Sequence, residues 1–175
     1  HLKYKFSDFG INPNTDSWTL FGFFLPQASL FSTTNRVVAF EVGNYYDASS
    51  TSITYDHCNT ANKNFGLIIY DAQTSKSGPS RFTLADADLS NWILPVIRYD
   101  ASTTTLSCLC FGSSSGKLSS SNTKTWSSSI SDVFHVGSYA WDGGAWENFI
   151  RDVCIAKRAL SDSELEQIYR KRFDF

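Results

Sequence analysis

Apolar positions fall in short runs separated by polar turns, with a period near two wherever a period can be read. Trp18 to Leu25 is apolar at nearly every position, which predicts a central strand covered on both sides. Val37 to Val42, Phe65 to Tyr70, Trp92 to Tyr99 and Thr105 to Phe111 read as further strands, the last stopped by Gly112. Lys3 to Phe9 alternates, Tyr4 and Phe6 against Lys3 and Lys5, and reads as an edge strand. Arg81 to Leu84 is a short one. Turns are expected at Asn12-Pro13-Asn14, over Gln73 to Ser80 and at the polar corner Asp86 to Asn91. Pro95 has no N–H for a ladder, which places its strand at an edge or beside a bulge. From Gly43 to Asn64 only Ile53 breaks a polar run, so a long loop or a pair of short hairpins is expected. Ser113 to Ser131, with Leu118 and Trp126 embedded, reads as a meandering connection.

The last stretch, Asp132 to Arg172, is the most determined. Phe134 to Val136 is a strand, followed by an aromatic loop, a second strand and a helix. In that second strand Phe149, Val153 and Ile155 should face one way, and Ile150, Cys154 and Ala156 the other. Ser161 and Glu164 stand at the spacing of a capping box, with Leu160 and Leu165 as its hydrophobic staple. Leu165, Ile168 and Tyr169 form one apolar stripe, and Arg170, Lys171 and Arg172 suit the negative end of the helix. So short a helix does not hold itself together, and its stripe must lie on a sheet. The chain is therefore expected to be all-β: a two-sheet antiparallel jelly-roll sandwich with one short C-terminal helix, and Trp18 and Trp92 in its core.

A strand ending in Gly137-Ser138, a loop, the strand FIRDVCIA and then RALSDSELEQIY resembles the C-terminal end of laminin-G-like and pentraxin-like domains, members of the concanavalin A-like lectin/glucanase superfamily. DSWTLFGFFLP is similar to an early strand of that family, and NWILPVIRYDASTTTLSCLCFG to a pair of its central strands. Asn148 stands where the family often has glycine. The likeness covers most of residues 1–175 and implies a single lectin-like domain; the absence of Met, even at position 1, leads us to expect a domain excised from, or processed out of, a longer protein. The superfamily hosts binders and enzymes alike, so the resemblance implies a fold and leaves activity to the site.

Composition narrows the partners. A net charge of -2 and 18% charged residues, without a basic stripe, argue against nucleic acid or an anionic membrane surface. No apolar run approaches the roughly 20 residues of a membrane span. Length alone lets the chain bury about two-thirds of its unfolded surface without disulfides. Cys108 and Cys110, two apart on a strand, share a face and do not pair readily with each other. With Cys58 and Cys154 they give no second close pair of metal ligands, so buried free thiols are expected, a Cys58 disulfide staying open for a secreted protein. Free thiols would suit assembly in a reducing cytoplasm.

Candidate chemistry sorts as follows. Retaining glycosidases need two carboxylates about 5 Å apart. Glutamate occurs only at 41, 147, 164 and 166, and Glu147 and Asp152 have opposite parity on a regular strand. No catalytic residue is assigned. His57 beside Cys58 points away from it on an extended chain, and His135, between Phe134 and Val136, reads as a hydrogen-bonded sheet residue. The resemblance implies loop calcium as the one candidate cofactor. Asp47, Asp56 and Asp142, with Asn44, are suitable oxygen donors, but no D-x-D-x-D-G run exists and turn formation is the preferred role. Sugar binding asks for exposed aromatics with planar hydrogen-bonding groups on loops above a rigid scaffold. Tyr45, Tyr46 and Asp47, together with Trp141, Asp142 and Trp146 around Gly143-Gly144, have that composition. The expected function is a non-catalytic carbohydrate-binding module for a glycan or cell-surface polysaccharide, extracellular or on a virion surface such as a phage tail, with homo-oligomerisation through a parent protein left open. The alternatives are a structural or protein-interaction module without a sugar site, and a glycoside hydrolase.

Overall fold

The structure, a computed structural model, describes residues 2–26, 37–44, 47, 49–57, 64–71, 74–76, 82–123, 126–137 and 149–171. In chain order the strands are β1 (Leu2–Tyr4), β2 (Trp18–Phe24), β3 (Val37–Val42), β4 (Ser50–His57), β5 (Asn64–Asp71), β6 (Thr74–Lys76), β7 (Phe82–Thr83), β8 (Leu94–Asp100), β9 (Thr105–Gly112), β10 (Gly116–Thr123), β11 (Ser129–Ile130), β12 (Phe134–Val136) and β13 (Ile150–Ala156), followed by the helix α1 (Asp162–Arg170). Short 3-10 turns span Phe6–Phe9 and Asp86–Ser90. The described strands make two sheets. A front sheet runs β1-β12-β3-β4-β5-β6, with β11 on β4 and β7 on β5. A back sheet runs β10-β9-β8-β2-β13. Pairing is antiparallel except for β11 on β4, and the architecture is the expected all-β jelly-roll sandwich with one short helix.

Alternation decides which side chains meet between the sheets. Phe40, Val42, Ile53, Tyr55, Leu67, Ile69, Phe134 and Val136 of the front sheet join Trp18, Leu20, Phe24, Ile97, Tyr99, Leu106, Cys108 and Cys110 of the back sheet in one core. The Tyr55 hydroxyl crosses this core to donate to the Leu109 carbonyl at 2.8 Å, fixing one sheet against the other. The opposite face of the back sheet is also apolar, with Phe21, Phe23, Leu94, Val96, Leu109 and Phe111 packed under Leu160, Leu165 and Tyr169. All seven residues of β2 are buried, as a strand covered on both sides requires. The capping box forms as expected. Glu164 N–H donates to Ser161 Oγ while Glu164 Oε2 accepts from the Ser161 N–H at 2.8 Å.

Several expectations are corrected. β8 is an interior strand, flanked by β9 and β2, in spite of Pro95. Its ladder to β2 holds from Trp18↔Tyr99 to Phe21↔Val96 and resumes only at Phe24↔Ile93, so the missing N–H falls in a gap opposite Gly22. The bulge lies on the other side of Gly22. Two residues of β13, Asp152 and Val153, stand between the pairs Arg151↔Phe23 and Cys154↔Phe21, and Asp152 has φ 49°. A Cβ on Gly22 would come within 3.1 Å of Val153 Cγ2 and 3.3 Å of Val153 Cα, so glycine lets the bulge pack closely against β2. The extra residue changes the parity of β13: Ile150 packs toward the main core with Val153 and Ile155, while Ala156 packs on the helix side. Cys108 and Cys110 are buried free thiols, but Cys154 is exposed. Trp92 is only partly buried, at the rim of the helix-side cluster with the Arg151 guanidinium 5.1 Å from its ring centre. The Gly43 to Asn64 stretch contains β4 and the serine-rich connection contains β10. The Lys3 to Phe9 strand stops at Tyr4 and becomes a 3-10 turn.

The chain before β11 is held by side-chain clamps. Asp71 accepts from Ser127 N–H at 3.0 Å, Ser127 Oγ at 3.1 Å, Ser128 N–H at 3.1 Å and Thr51 Oγ1 at 3.3 Å. Asn14 exchanges two hydrogen bonds with the Ile130 backbone, at 2.9 and 2.7 Å. The Ser128 hydroxyl, with the Ser127 and Ser128 amides, holds the Asp71 carboxyl well below the usual carboxylate range. A carboxyl with a depressed folded pKa stabilises the fold above its unfolded pKa, about 4, and loses that contribution as pH falls below it. Asp71→Asn is expected to lower stability at neutral pH and to flatten the acid side of the stability profile, read from urea midpoints between neutral and acid pH. An acid limb unchanged by the substitution would refute this role.

Candidate functional site

The outward face of the front sheet is polar where the outward face of the back sheet is apolar. Phe40 and Val42 point into the core, so Glu41 between them points out; Ile53 and Tyr55 do the same for Ser52 and Thr54, and Phe134 and Val136 for His135. The register sets three of these side by side on adjacent strands, His135 opposite Glu41 and Glu41 opposite Thr54. His135 Nδ1 lies 3.5 Å from Glu41 Oε2. All four groups are buried: Glu41 and Thr54 are 0% exposed, Ser52 1% and His135 4%. Ser52 Oγ and Thr54 Oγ1 have no hydrogen-bond partner among the described residues.

That cluster combines a carboxylate acceptor, an imidazole and two hydroxyls that both donate and accept. Leaving a buried hydroxyl without a partner costs about 1–3 kcal/mol. The sequence carried the signal in parity. Glu41 is a charge inside VVAFEV, His135 an imidazole inside FHV, and Ser52 and Thr54 alternate with Ile53 and Tyr55. The 43–64 stretch has too few apolar residues to mark β4 as a strand, and without that strand nothing brings Thr54 to Glu41. His135 is the sheet residue expected of it.

Of the residues singled out for ligand binding, Asp47 is described. Its Oδ1 accepts from Ser49 N–H at 2.9 Å and Ser49 Oγ at 2.6 Å, and its own N–H donates to Asn44 O. The Ser49 hydroxyl and amide lower its pKa. Asp47 is thus a turn former, the role preferred for it over calcium. Tyr45, Tyr46, Trp141, Asp142 and Trp146 lie outside the described residues, as do His57 and Asp56 beyond their strand backbone. Among the described residues no three His, Cys, Asp or Glu side chains come together, and of the calcium donors considered the Asp56 side chain and Asp142 lie outside those residues. The register fixes where the two aromatic stretches attach. Gly43 donates to Val133 O beyond the start of β12, and Gly137 donates to Ala39 O near the start of β3. The 43–49 and 138–148 stretches therefore leave neighbouring strands at opposite ends. Val37, His57 and Asn64 gather at the Gly137 end.

No family model matches the chain, and no curated protein matches its sequence. Solved structures do resemble it. The binding domain of botulinum neurotoxin serotype D superposes with a TM-score of 0.62 at 13% identity, covering 90% of this chain and 38% of that one. The enzymatically active domain of tailspike protein 2 from bacteriophage CBA120 gives 0.67 at 9% identity, over 93% of this chain and 25% of that one. The CBM40 module of the IT-sialidase from Ruminococcus gnavus gives 0.59 at 10% identity, over 95% of this chain and 97% of that module, which has also been solved bound to alpha2,3 sialyllactose. The chain thus spans well under half of the toxin and tailspike chains and nearly all of the sialidase module. At these identities the likeness establishes a lectin-like sandwich fold.

Thr54→Val keeps the shape of the side chain and removes a buried hydroxyl that has no partner. It is expected to raise unfolding stability by about 1 kcal/mol, measured by urea denaturation. A loss of the same size would mean that the hydroxyl is already satisfied, and would remove it from the candidate site.

Proposed function

We propose that this chain is a non-catalytic, lectin-like module that binds a glycan or cell-surface polysaccharide on the front-sheet side of the sandwich, where the buried polar cluster of Glu41, His135, Ser52 and Thr54 lies, with Tyr45, Tyr46, Trp141, Asp142 and Trp146 of the aromatic stretches as the residues that contact the sugar. The observation that carries the reading is the pair of unpartnered hydroxyls beside Glu41 and His135 on a scaffold of lectin-like fold. A sugar offers vicinal hydroxyls that donate and accept at once, which matches such a surface better than a charged or apolar ligand does. A carbohydrate-binding module is among the similar structures over nearly the full length of both chains, and receptor-binding and phage domains accompany it, which fits a place outside the cell or on a virion in the concanavalin A-like superfamily. No helix among the described residues is long and apolar enough to cross a membrane.

One similar structure is part of an enzymatically active phage domain, which keeps hydrolysis as the competing reading. Binding is preferred because the cross-strand neighbours of Glu41 are His135 and Thr54 and neither is an acid, whereas hydrolysis needs a carboxylate pair flanking the scissile bond.

A glycan array probed with the wild-type chain, Thr54→Val, Tyr46→Ala and Trp141→Ala tests the proposal. Binding to a restricted set of glycans, weakened about tenfold by Trp141→Ala or Tyr46→Ala through loss of a ring that stacks on the sugar, is the expected result. An array without any signal would favour a structural or protein-interaction module. Turnover of a polysaccharide panel that disappears in Glu41→Gln would make the chain a hydrolase.

A further inference from the structure

The outward face of the back sheet is divided. Its apolar half is sealed by α1. One register step away the same face turns polar: Thr19 pairs with Arg98, Arg98 with Ser107, and Ser107 with Ser121 across β2, β8, β9 and β10. The next step pairs Asp100 with Thr105. The helix and the Leu160–Ser161 segment before it stop short of this row, leaving a groove of about 420 Å³ that the polar row floors and Ala159, Leu160 and Ser161 wall.

Three features of the groove point to a ligand. Its volume lies in the range of small-molecule sites, about 300–1,000 Å³. Ser107 lines it and is only 6% exposed, and no described residue hydrogen-bonds its hydroxyl. Arg98, opposite Ser107, is held rigid: its Nη1 donates to Leu160 O at 2.8 Å and to Asp162 Oδ1 at 2.7 Å, and Asp162 in turn holds Lys117 Nζ at 2.8 Å. Thr19 is likewise occupied, donating to Arg158 O and accepting from Leu160 N–H, so it braces the wall and leaves the groove to its neighbours.

The charge pattern selects the chemistry. Arg98 and Asp100 are the two charged residues of the lining, one of each sign. Arg98 is already paired with Asp162, while Asp100 Oδ1 accepts from Ser102 N–H at 2.9 Å and Ser102 Oγ at 2.7 Å. An anionic ligand would gain little from a paired guanidinium and would meet the Asp100 carboxylate. A neutral polyol suits the hydroxyls of Thr105, Ser107 and Ser121. We propose that this groove is a second sugar site, specific for a neutral sugar unit, on the side of the sandwich away from the front sheet. The choice of a sugar among neutral polyols rests on the glycan-binding reading; the groove and its neutrality do not.

Amide chemical-shift mapping by NMR separates the two sites. The probes are the methyl glycosides of glucose, galactose and mannose, with methyl glucuronide as the anionic comparison, added to wild type, Ser107→Val, Ser121→Val and Thr54→Val. The expected result is saturable shifts at Arg98, Ser107, Ser121 and Leu160 with a neutral glycoside, weakened about tenfold in Ser107→Val and unchanged in Thr54→Val. Ser121 is exposed on an edge strand where valine favours the fold, so Ser121→Val keeps the test valid if Ser107→Val misfolds. Shifts confined to β3, β4 and β12 would overturn the groove and leave the front-sheet reading standing. Saturable shifts in the groove alone would support the groove and overturn the front-sheet site. An equal response to methyl glucuronide, or no saturable shift at the groove amides, would overturn this proposal.

Discussion

The back sheet has to bury both of its faces, and the remaining structure is arranged to meet that demand. β2 alone carries Trp18, Leu20 and Phe24 on one side and Phe21 and Phe23 on the other. The front sheet covers the first set. The second would be an exposed apolar patch of the kind that drives association, were α1 not placed over it. The dependence is mutual, because nine residues of helix do not persist alone in water. Local signals aim the helix: Ser161 and Glu164 close its first turn, and Arg158 grips Glu164 through two nitrogens, at 3.0 and 2.7 Å.

With the back sheet taking the helix, the front sheet is free of that constraint on its outward face. Apolar closure is not needed there, and hydrogen-bonding groups occupy the outward positions of β3, β4 and β12. Burying Glu41, His135, Ser52 and Thr54 opposes folding, and a sequence under selection for stability alone would replace the unpartnered hydroxyls with valine or alanine. Local disagreement between a residue and its surroundings is the usual mark of a position kept for binding.

Much of this architecture was legible before the structure. The double-sided strand at Trp18, the capping box, the apolar stripe of α1 and the overall sandwich follow from period and spacing. β4 and β10 did not stand out because strand recognition relied on apolar density, and a strand with one hydrogen-bonding face carries too few apolar residues. In STSITYDH only Ile53 and Tyr55 mark the pattern, and in GKLSSSNT only Leu118 does. Pro95 marks a ladder defect, and of the edge and the bulge it leaves open the sheet uses a bulge, two strands away. The sheet absorbs the defect in its interior by setting Gly22 opposite it and a bulge beyond, a three-strand arrangement that no one strand's sequence displays. The same bulge inverted the parity expected for Ile150. For the candidate site, Asp47 was identified but its partner Ser49 explains it as a turn, whereas Glu41 and Thr54 become neighbours only through a pairing between residues 13 positions apart.

Serine and aspartate are coupled throughout this chain, and the coupling separates scaffold from site. Asp47 takes Ser49, Asp71 takes Ser127 and Ser128, Asp88 takes Ser113, Ser114 and Ser115, Asp100 takes Ser102, and Asp132 takes Ser7. Each of these acids accepts from a backbone N–H as well as a hydroxyl and fixes a turn or a chain crossing. At Asp47, Asp71 and Asp100 these hydrogen bonds lower the pKa and favour the ionised form, which makes these carboxylates poor proton donors. The acids that would first attract attention as catalysts are therefore scaffold. The hydroxyls outside this scheme, Ser52 and Thr54 on one face and Ser107 on the other, are not committed to a turn. Hydroxyls of this kind on a rigid sandwich are donors and acceptors that the fold itself does not consume.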